Sequence, residues 1–438
     1  MNRRILFLSV GWIFLLAVAA GAEVRRGDIS EEMNGWIEEI DEVVETGVGG
    51  KLVLVADMGE IEVKTWDKGS VHVEVEKFAD VFTEAEAEKV FGDFQVEISR
   101  EGKDVSVEIG SKRDRRLRSL HATIEVTVPR KYSVDLETEG GGIEVGDLEG
   151  DVVARTSAGG IEIGKIENGS VIVETSAGGI SIEGIENGDG IVKTSAGGIS
   201  VGDVTGNLQV KTSSGGIEIG EVGGALVAKT SAGGIDIDKG GADVLATTSG
   251  GGISVKEAKG NVEVATAAGG IDIGPAGGWI KAKTSGGGIS IDKAGGAVEA
   301  ETSAGGIEVD GSGGPVVVKT SSGGIEIEDA RGYIEAKTAA GGIEAELAIS
   351  DPEVDTHCTL ETSAGNVTIY LPAKLKATID AELRIEGRPH RKYEIISDFP
   401  IEIDGERGRR ITGEGAINGG GDLIKLRTTN GDIEIKKR

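Results

Sequence analysis

The sequence predicts an all-β fold: a parallel β-solenoid (β-helix) of about twelve 18-residue rungs, two strands to a rung, with an irregular α+β cap before it and a β cap after it. Three observations predict this. First, one phrase recurs. "VKTSAGGISV" at 192–201 returns as "ARTSAGGIEI", "VKTSSGGIEI", "AKTSAGGIDI" and "AETSAGGIEV". Second, the isoleucine after each glycine pair falls at Ile143, Ile161, Ile180, Ile199, Ile217, Ile235, Ile253, Ile271, Ile289, Ile307, Ile325 and Ile343, always 18 or 19 residues apart. A short fixed period means one structural unit per repeat, stacked on its neighbours. Third, apolar and polar residues alternate at period two within each unit, which is strand spacing.

The rung "IEIGKIENGSVIVETSAGG" (161–179) shows the plan. Ile161 and Ile163 flank Glu162 in one strand. Val171, Val173 and Thr175 alternate with Ile172 and Glu174 in the other. Val173 and Ile180 should both face inward, yet they are seven residues apart, so the alternation must slip inside "TSAGG". The expectation is a corner there, with glycine supplying the positive φ of a tight turn. A second corner is marked by glycine six residues before the threonine, from Gly150 to Gly332, with Ala242 the one departure. Stacked at the strand spacing of about 4.8 Å, twelve rungs make a rod roughly 55–60 Å long.

The ends are less regular. Residues 1–22, "MNRRILFLSVGWIFLLAVAAGA", combine Arg3 and Arg4, an apolar run and small residues at Ala20-Gly21-Ala22, the pattern of a secretory signal peptide. Left uncleaved, the same segment is a membrane anchor. Residues 23–130 read as an N-terminal cap of short helices and strands. In 28–45, Met33, Trp36, Ile37, Ile40, Val43 and Val44 have helix-like spacing. Thr83 and Glu86 form a capping box before a short helix ending near Phe91. Regular rungs occupy 131–370. Residues 371–438 hold further strands and a closing rung, "LRTTNGDIEI".

Composition narrows the function. With 46 basic and 75 acidic residues the net charge is −29, which disfavours nucleic acid and anionic membrane as partners of the whole chain. Aromatic residues are 3% of the chain, so the core must be thin and aliphatic. Cys358 is the single cysteine, so no internal disulfide is available. No second long apolar run follows the leader, so no transmembrane span is expected after its removal.

The G-x-I-x-V grammar, "VTVPRKYSVDLETEGGGIEV" (126–145), the "TSAGGIxI" rungs and the closing "LRTTNGDIEI" together resemble the bacterial putative-adhesin family, over roughly Leu52 to Lys436. The resemblance implies an exported β-solenoid of unknown function. It brings no catalytic residues. This chain departs from the family in carrying unusually many near-perfect rungs.

Motifs for chemistry fare poorly. "GGIEIGKI" (159–166) approaches a phosphate loop, but Ile166 stands where Ser or Thr is required. Calcium-binding β-rolls need aspartate at a fixed place in successive turns; Asp238 and Asp292 occur there only sporadically. The threonine row from Thr156 to Thr338 could suggest an ice-binding face. These threonines share parity with inward residues and are flanked by lysines, so a semi-buried corner row is expected instead. His72, His121, His357 and His390 pair with no recognisable Ser or Cys motif. No cofactor and no metal site are expected.

Outward charge rows are left. After the corner isoleucine the residue is usually acidic: Glu144, Glu162, Glu218, Asp236, Asp272, Glu308, Glu326 and Glu344. These eight form the candidate binding face. Before the threonine it is often basic, as in Arg155, Lys193, Lys211, Lys229, Lys283, Lys319 and Lys337. The sequence thus predicts an exported, non-catalytic structural or adhesin-like protein, located extracytoplasmically, in the periplasm, at the surface or secreted. Its partner would be an envelope or surface component. The alternative is a binding module that captures cationic peptides or polymers on the acidic ladder.

Overall fold

A computed structural model describes residues 23–32, 34–111, 119–348, 354–387, 392–405 and 408–438. The leader, 1–22, lies outside the described residues, as do Met33 and His390. Each rung contributes one strand to each of two long sheets. In one, here the isoleucine sheet, Ile161–Glu167 pairs in parallel with Ile180–Glu186, placing Ile161 beside Ile180 and Ile163 beside Ile182. In the other, the threonine sheet, Val152–Thr156 pairs with Val171–Thr175 in the same register. The inward rows of both sheets meet in a continuous aliphatic core. In the rung quoted above, Ile161, Ile163, Ile166, Val171 and Val173 are all buried. One rung offers too little apolar surface to fold alone, so stability is shared along the stack.

The corner is held by threonine. Thr266 Oγ1 donates to Gly251 O of the preceding rung at 2.7 Å. The same bond recurs in every rung from Thr156 to Thr338, at 2.7–2.9 Å. These threonines are 1–7% exposed. A buried hydroxyl would cost free energy unpaired; here each one satisfies a carbonyl that the corner leaves free.

The corner glycines correct the expectation of positive φ. Only Gly141 and Gly341 of the first-glycine row, and Gly365 beyond it, are in that range, at 144° to 149°. In the interior the reason for glycine is crowding. A Cβ on Gly251 would lie 2.3 Å from Gly233 O, and one on Gly269 would lie 2.2 Å from Gly251 O. The rungs stack so closely here that a methyl group has no room. Positive φ appears instead at Asn168 and Asn187, at 53° and 57°. These are the extra residues of the two "IENG" rungs. Each inserts one left-handed residue at the second corner, which explains why those intervals are 19 instead of 18.

The N-terminal part corrects a second expectation. The described residues of 28–45 are not helical: Asp28–Glu32 and Gly35–Glu45 form an antiparallel pair, and the second strand pairs with Ser70–Ala79. The inward positions are Trp36, Glu38, Ile40, Glu42 and Val44. Two acids on the inward face hide the period-two pattern. Glu38 is accommodated by Lys77, opposite it in the register, and Glu42 by Arg25, 3.3 Å away. Thr83 caps the helix Glu84–Asp93, its hydroxyl accepting from Glu86 N at 3.3 Å, and that helix runs two residues beyond Phe91.

Both ends are built out of chain order. The first rung-like pair, Lys51–Ala56 and Glu60–Trp66, stacks on Ser133–Thr138 and Ile143–Val145 on its inner side. On its outer side it meets Asp104–Ser111 and Leu120–Pro129. The chain therefore leaves the rod, builds the cap and returns. The far end does the same. The closing strands Asp422–Thr429 and Ile433–Lys437 lie between Cys358–Thr362 and Val367–Leu371 on one side and Ala377–Arg384 and Ile395–Ser397 on the other. No helix among the described residues is long and apolar enough to cross a membrane.

Candidate functional site

The register places all eight predicted acids in one outward row of the isoleucine sheet. Glu144 pairs with Glu162, Glu218 with Asp236, and Glu308 with Glu326 and then Glu344. Ser181, Ser200, Ser254 and Ser290 complete the row at the intervening rungs. Glu62 extends it toward the N-terminal cap and Thr368 toward the other end. All eight acids are exposed.

Beside the row runs an open groove. It exists because the second glycine of each corner, Gly234 through Gly342, has no side chain to fill it. From Asp236 to Thr368 its volume is about 1010 Å³, and a shorter segment from Gly160 to Glu218 holds about 540 Å³. Serine alternates with aspartate at Ser254, Asp272 and Ser290, whereas Glu308, Glu326 and Glu344 follow one another without interruption. Loss of some hydration beside the sheet, then the neighbouring Glu308 and Glu344, push the Glu326 carboxyl above the ordinary glutamate range. Several basic side chains pair with acids outside this row. Lys165 meets Glu186 at 3.0 Å, Lys281 meets Glu299 at 3.0 Å and Lys283 meets Glu301 at 2.9 Å. Like charges one rung apart repel by only about 0.9 kcal/mol in water, so the row stands without a ligand.

The threonine row is a corner device, as its parity predicts. His357 and Cys358 point to opposite faces. His357 is stacked on Tyr333 at 4.5 Å, with Asp355 Oδ1 2.8 Å from its Nδ1. Cys358 is buried in the core beside Ile334. Burial pushes its thiol up to about 12, so the thiolate that reacts is scarce at neutral pH. Thiol reagents are therefore expected to leave the native chain unmodified and to label one cysteine after unfolding, as mass spectrometry would read. Labelling of the folded chain at the rate of a free thiol would contradict this placement.

Sequence reasoning missed one juxtaposition. Strand pairing in the N-terminal cap brings Asp41, His72 and Glu74 together, although 31 residues separate the first two. The signal was present only as alternation in "SVHVEVE" opposite "EIDEVVE", and the helical reading of 28–45 concealed the partner strand.

A family model described as Toastrack DUF4097 matches residues 50–291 and, a second time, 225–436. Similar solved structures include one described as a putative cell adhesion protein from Clostridium sporogenes. It is 8% identical, covers 92% of this chain and 100% of its own, and has a TM-score of 0.15. Another, described as a putative adhesin from Bacteroides fragilis, is 12% identical, covers 91% of this chain and 97% of its own, and has a TM-score of 0.19. No curated protein matches the chain.

Proposed function

The chain belongs to the Toastrack DUF4097 family, and from that premise we propose that it is an exported, non-catalytic, adhesin-like rod acting at the cell surface or in the envelope. The observation that carries this reading is the repetition of one outward side-chain row along a rigid stack, rung after rung in unbroken register. Polar and acidic groups about 4.8 Å apart offer a polymeric or surface partner many weak contacts at once. Contacts joined on one scaffold gain avidity without any single strong site. Fractionation of producing cells tests it. Retention of the mature chain with the surface or envelope supports the reading, and recovery of the whole pool in soluble form removes it.

A second reading is favoured by the groove beside the acidic row: a binding module for cationic peptides or polymers. Titration with oligo-lysine at low and high salt tests this reading. Saturable binding that weakens with salt supports it. Absence of binding at low salt removes it.

A further inference from the structure

We propose that Asp41, His72 and Glu74 form a binding site for a divalent transition-metal ion of the Zn²⁺ or Cu²⁺ class on the outer face of the N-terminal cap. Asp41 lies on Gly35–Glu45, directly opposite Glu74 on Ser70–Ala79, and His72 is opposite Val43. One ligand atom from each of the three lies within 4.8 Å of the other two. His72 Nε2 stands 3.0 Å from Asp41 Oδ1, and Nδ1 stands 3.5 Å from Glu74 Oε2. Bonds of about 2.0–2.2 Å to a tetrahedral ion place ligand atoms roughly 3.3–3.6 Å apart. The ion takes one imidazole nitrogen, Nε2, which is near that spacing from Asp41 already, and the partly exposed Glu74 side chain, now beside Nδ1, rotates to join them.

The site has support behind it. The His72 ring lies parallel to Trp66, with centroids 5.9 Å apart and planes 7° from parallel. Trp66 is itself held by a bond from Nε1 to Ser70 O at 2.8 Å. A ring fixed before binding loses little freedom on coordination, and both strands are part of a sheet rather than a loop. Charge also fits. Two carboxylates and a neutral imidazole balance a 2+ ion, and Glu39 and Glu76 add negative potential on the same face. Of the nearby cations, Lys64 is engaged by Glu62 at 3.1 Å and Glu125 at 2.8 Å, and Lys68 lies over the Trp66 ring, 4.2 Å from its centroid. Imidazole selects zinc, copper and nickel, whereas calcium and magnesium call for a fuller shell of oxygens. An ion held here ties two strands of the cap together, so it binds the folded chain and stabilises it.

The test uses the full chain without a histidine tag, titrated with Zn²⁺ in a calorimeter and melted with and without Zn²⁺. One ion per chain and a higher Tm are expected, with no shift from equal Mg²⁺ or Ca²⁺. His72→Gln should weaken binding at least about tenfold and remove the Tm shift. His357→Gln, which alters the other ring set between two acids, should change neither. Absence of binding by the parent chain, or binding that His72→Gln leaves intact, overturns the proposal.

Discussion

Gly269→Ala should lower the stability of the rod by about 3 kcal/mol, while Gly270→Ala, one residue further on, should leave it within about 0.5 kcal/mol of the parent. The two glycines look equivalent in the sequence, and every complete corner has both. Their surroundings differ. A Cβ on Gly269 would meet Gly251 O at 2.2 Å and Gly251 C at 2.4 Å, both backbone atoms of a carbonyl held by the Thr266 hydroxyl. Relief requires separating two rungs, which also strains the Thr284–Gly269 and Thr266–Gly251 bonds, each 2.7 Å. A Cβ on Gly270 would meet Gly288 O at 3.5 Å, an ordinary contact. Gly270 is also outside the left-handed range, so alanine costs nothing there in backbone strain and reduces the freedom of the unfolded chain. Urea midpoints of the two variants decide the matter. Equal losses would mean that backbone conformation, and not close stacking, selects glycine at this corner.

Lys77→Met and Glu38→Leu should each cost about 3–5 kcal/mol, and the double variant should recover most of that loss. Both side chains are 0% exposed and form an ion pair in the cap. Lys77 Nζ also donates to Phe94 O at 3.2 Å, and Glu38 accepts from Gly27 N at 3.2 Å and meets Arg26 Nε at 2.8 Å. Burial pushes the Lys77 ammonium below the ordinary lysine range. Glu38→Leu strands the Lys77 ammonium in an apolar setting, and Lys77→Met leaves the buried Glu38 carboxylate with only the partly exposed Arg26 and Gly27 N. Removing both leaves Arg26, which is 42% exposed and can return to water. Urea unfolding followed by tryptophan fluorescence reads the three variants. A double variant as unstable as the sum of the singles would contradict a pair that is costly mainly when broken.

Ile143 to Ile343 and Thr156 to Thr338 made the rod legible, because a side chain that must be buried at the same point of every rung writes its period directly into the chain. The acidic row was legible for the same reason, since parity alone puts Glu144 and Glu326 outside. What stayed hidden depends on partners remote in sequence. Alternation says which face a residue takes but not which strand lies beside it, so the insertion of Ile433–Lys437 between Val367–Leu371 and Ile395–Ser397 left no local trace. Glu38 disguised a strand because its inward position is acceptable only with Lys77 opposite. Asp41 and His72 needed that same pairing to come together. The glycine corners were located correctly but for the wrong reason. A sequence cannot separate a glycine needed for its φ from one needed for the space above it.

The proposed function requires the repeated outward rows, rather than one local site, to hold the rod to its partner. Deleting residues 235–288 removes three whole rungs and joins Gly234 to Ile289, preserving the register of both sheets. Retention of this shortened chain in the envelope or surface fraction is measured relative to the full chain. With folding confirmed by a cooperative melt, a severalfold loss of retention is expected, because avidity falls steeply as contacts are removed. Retention equal to that of the full chain would contradict it and place the attachment in a single site outside the deleted rungs.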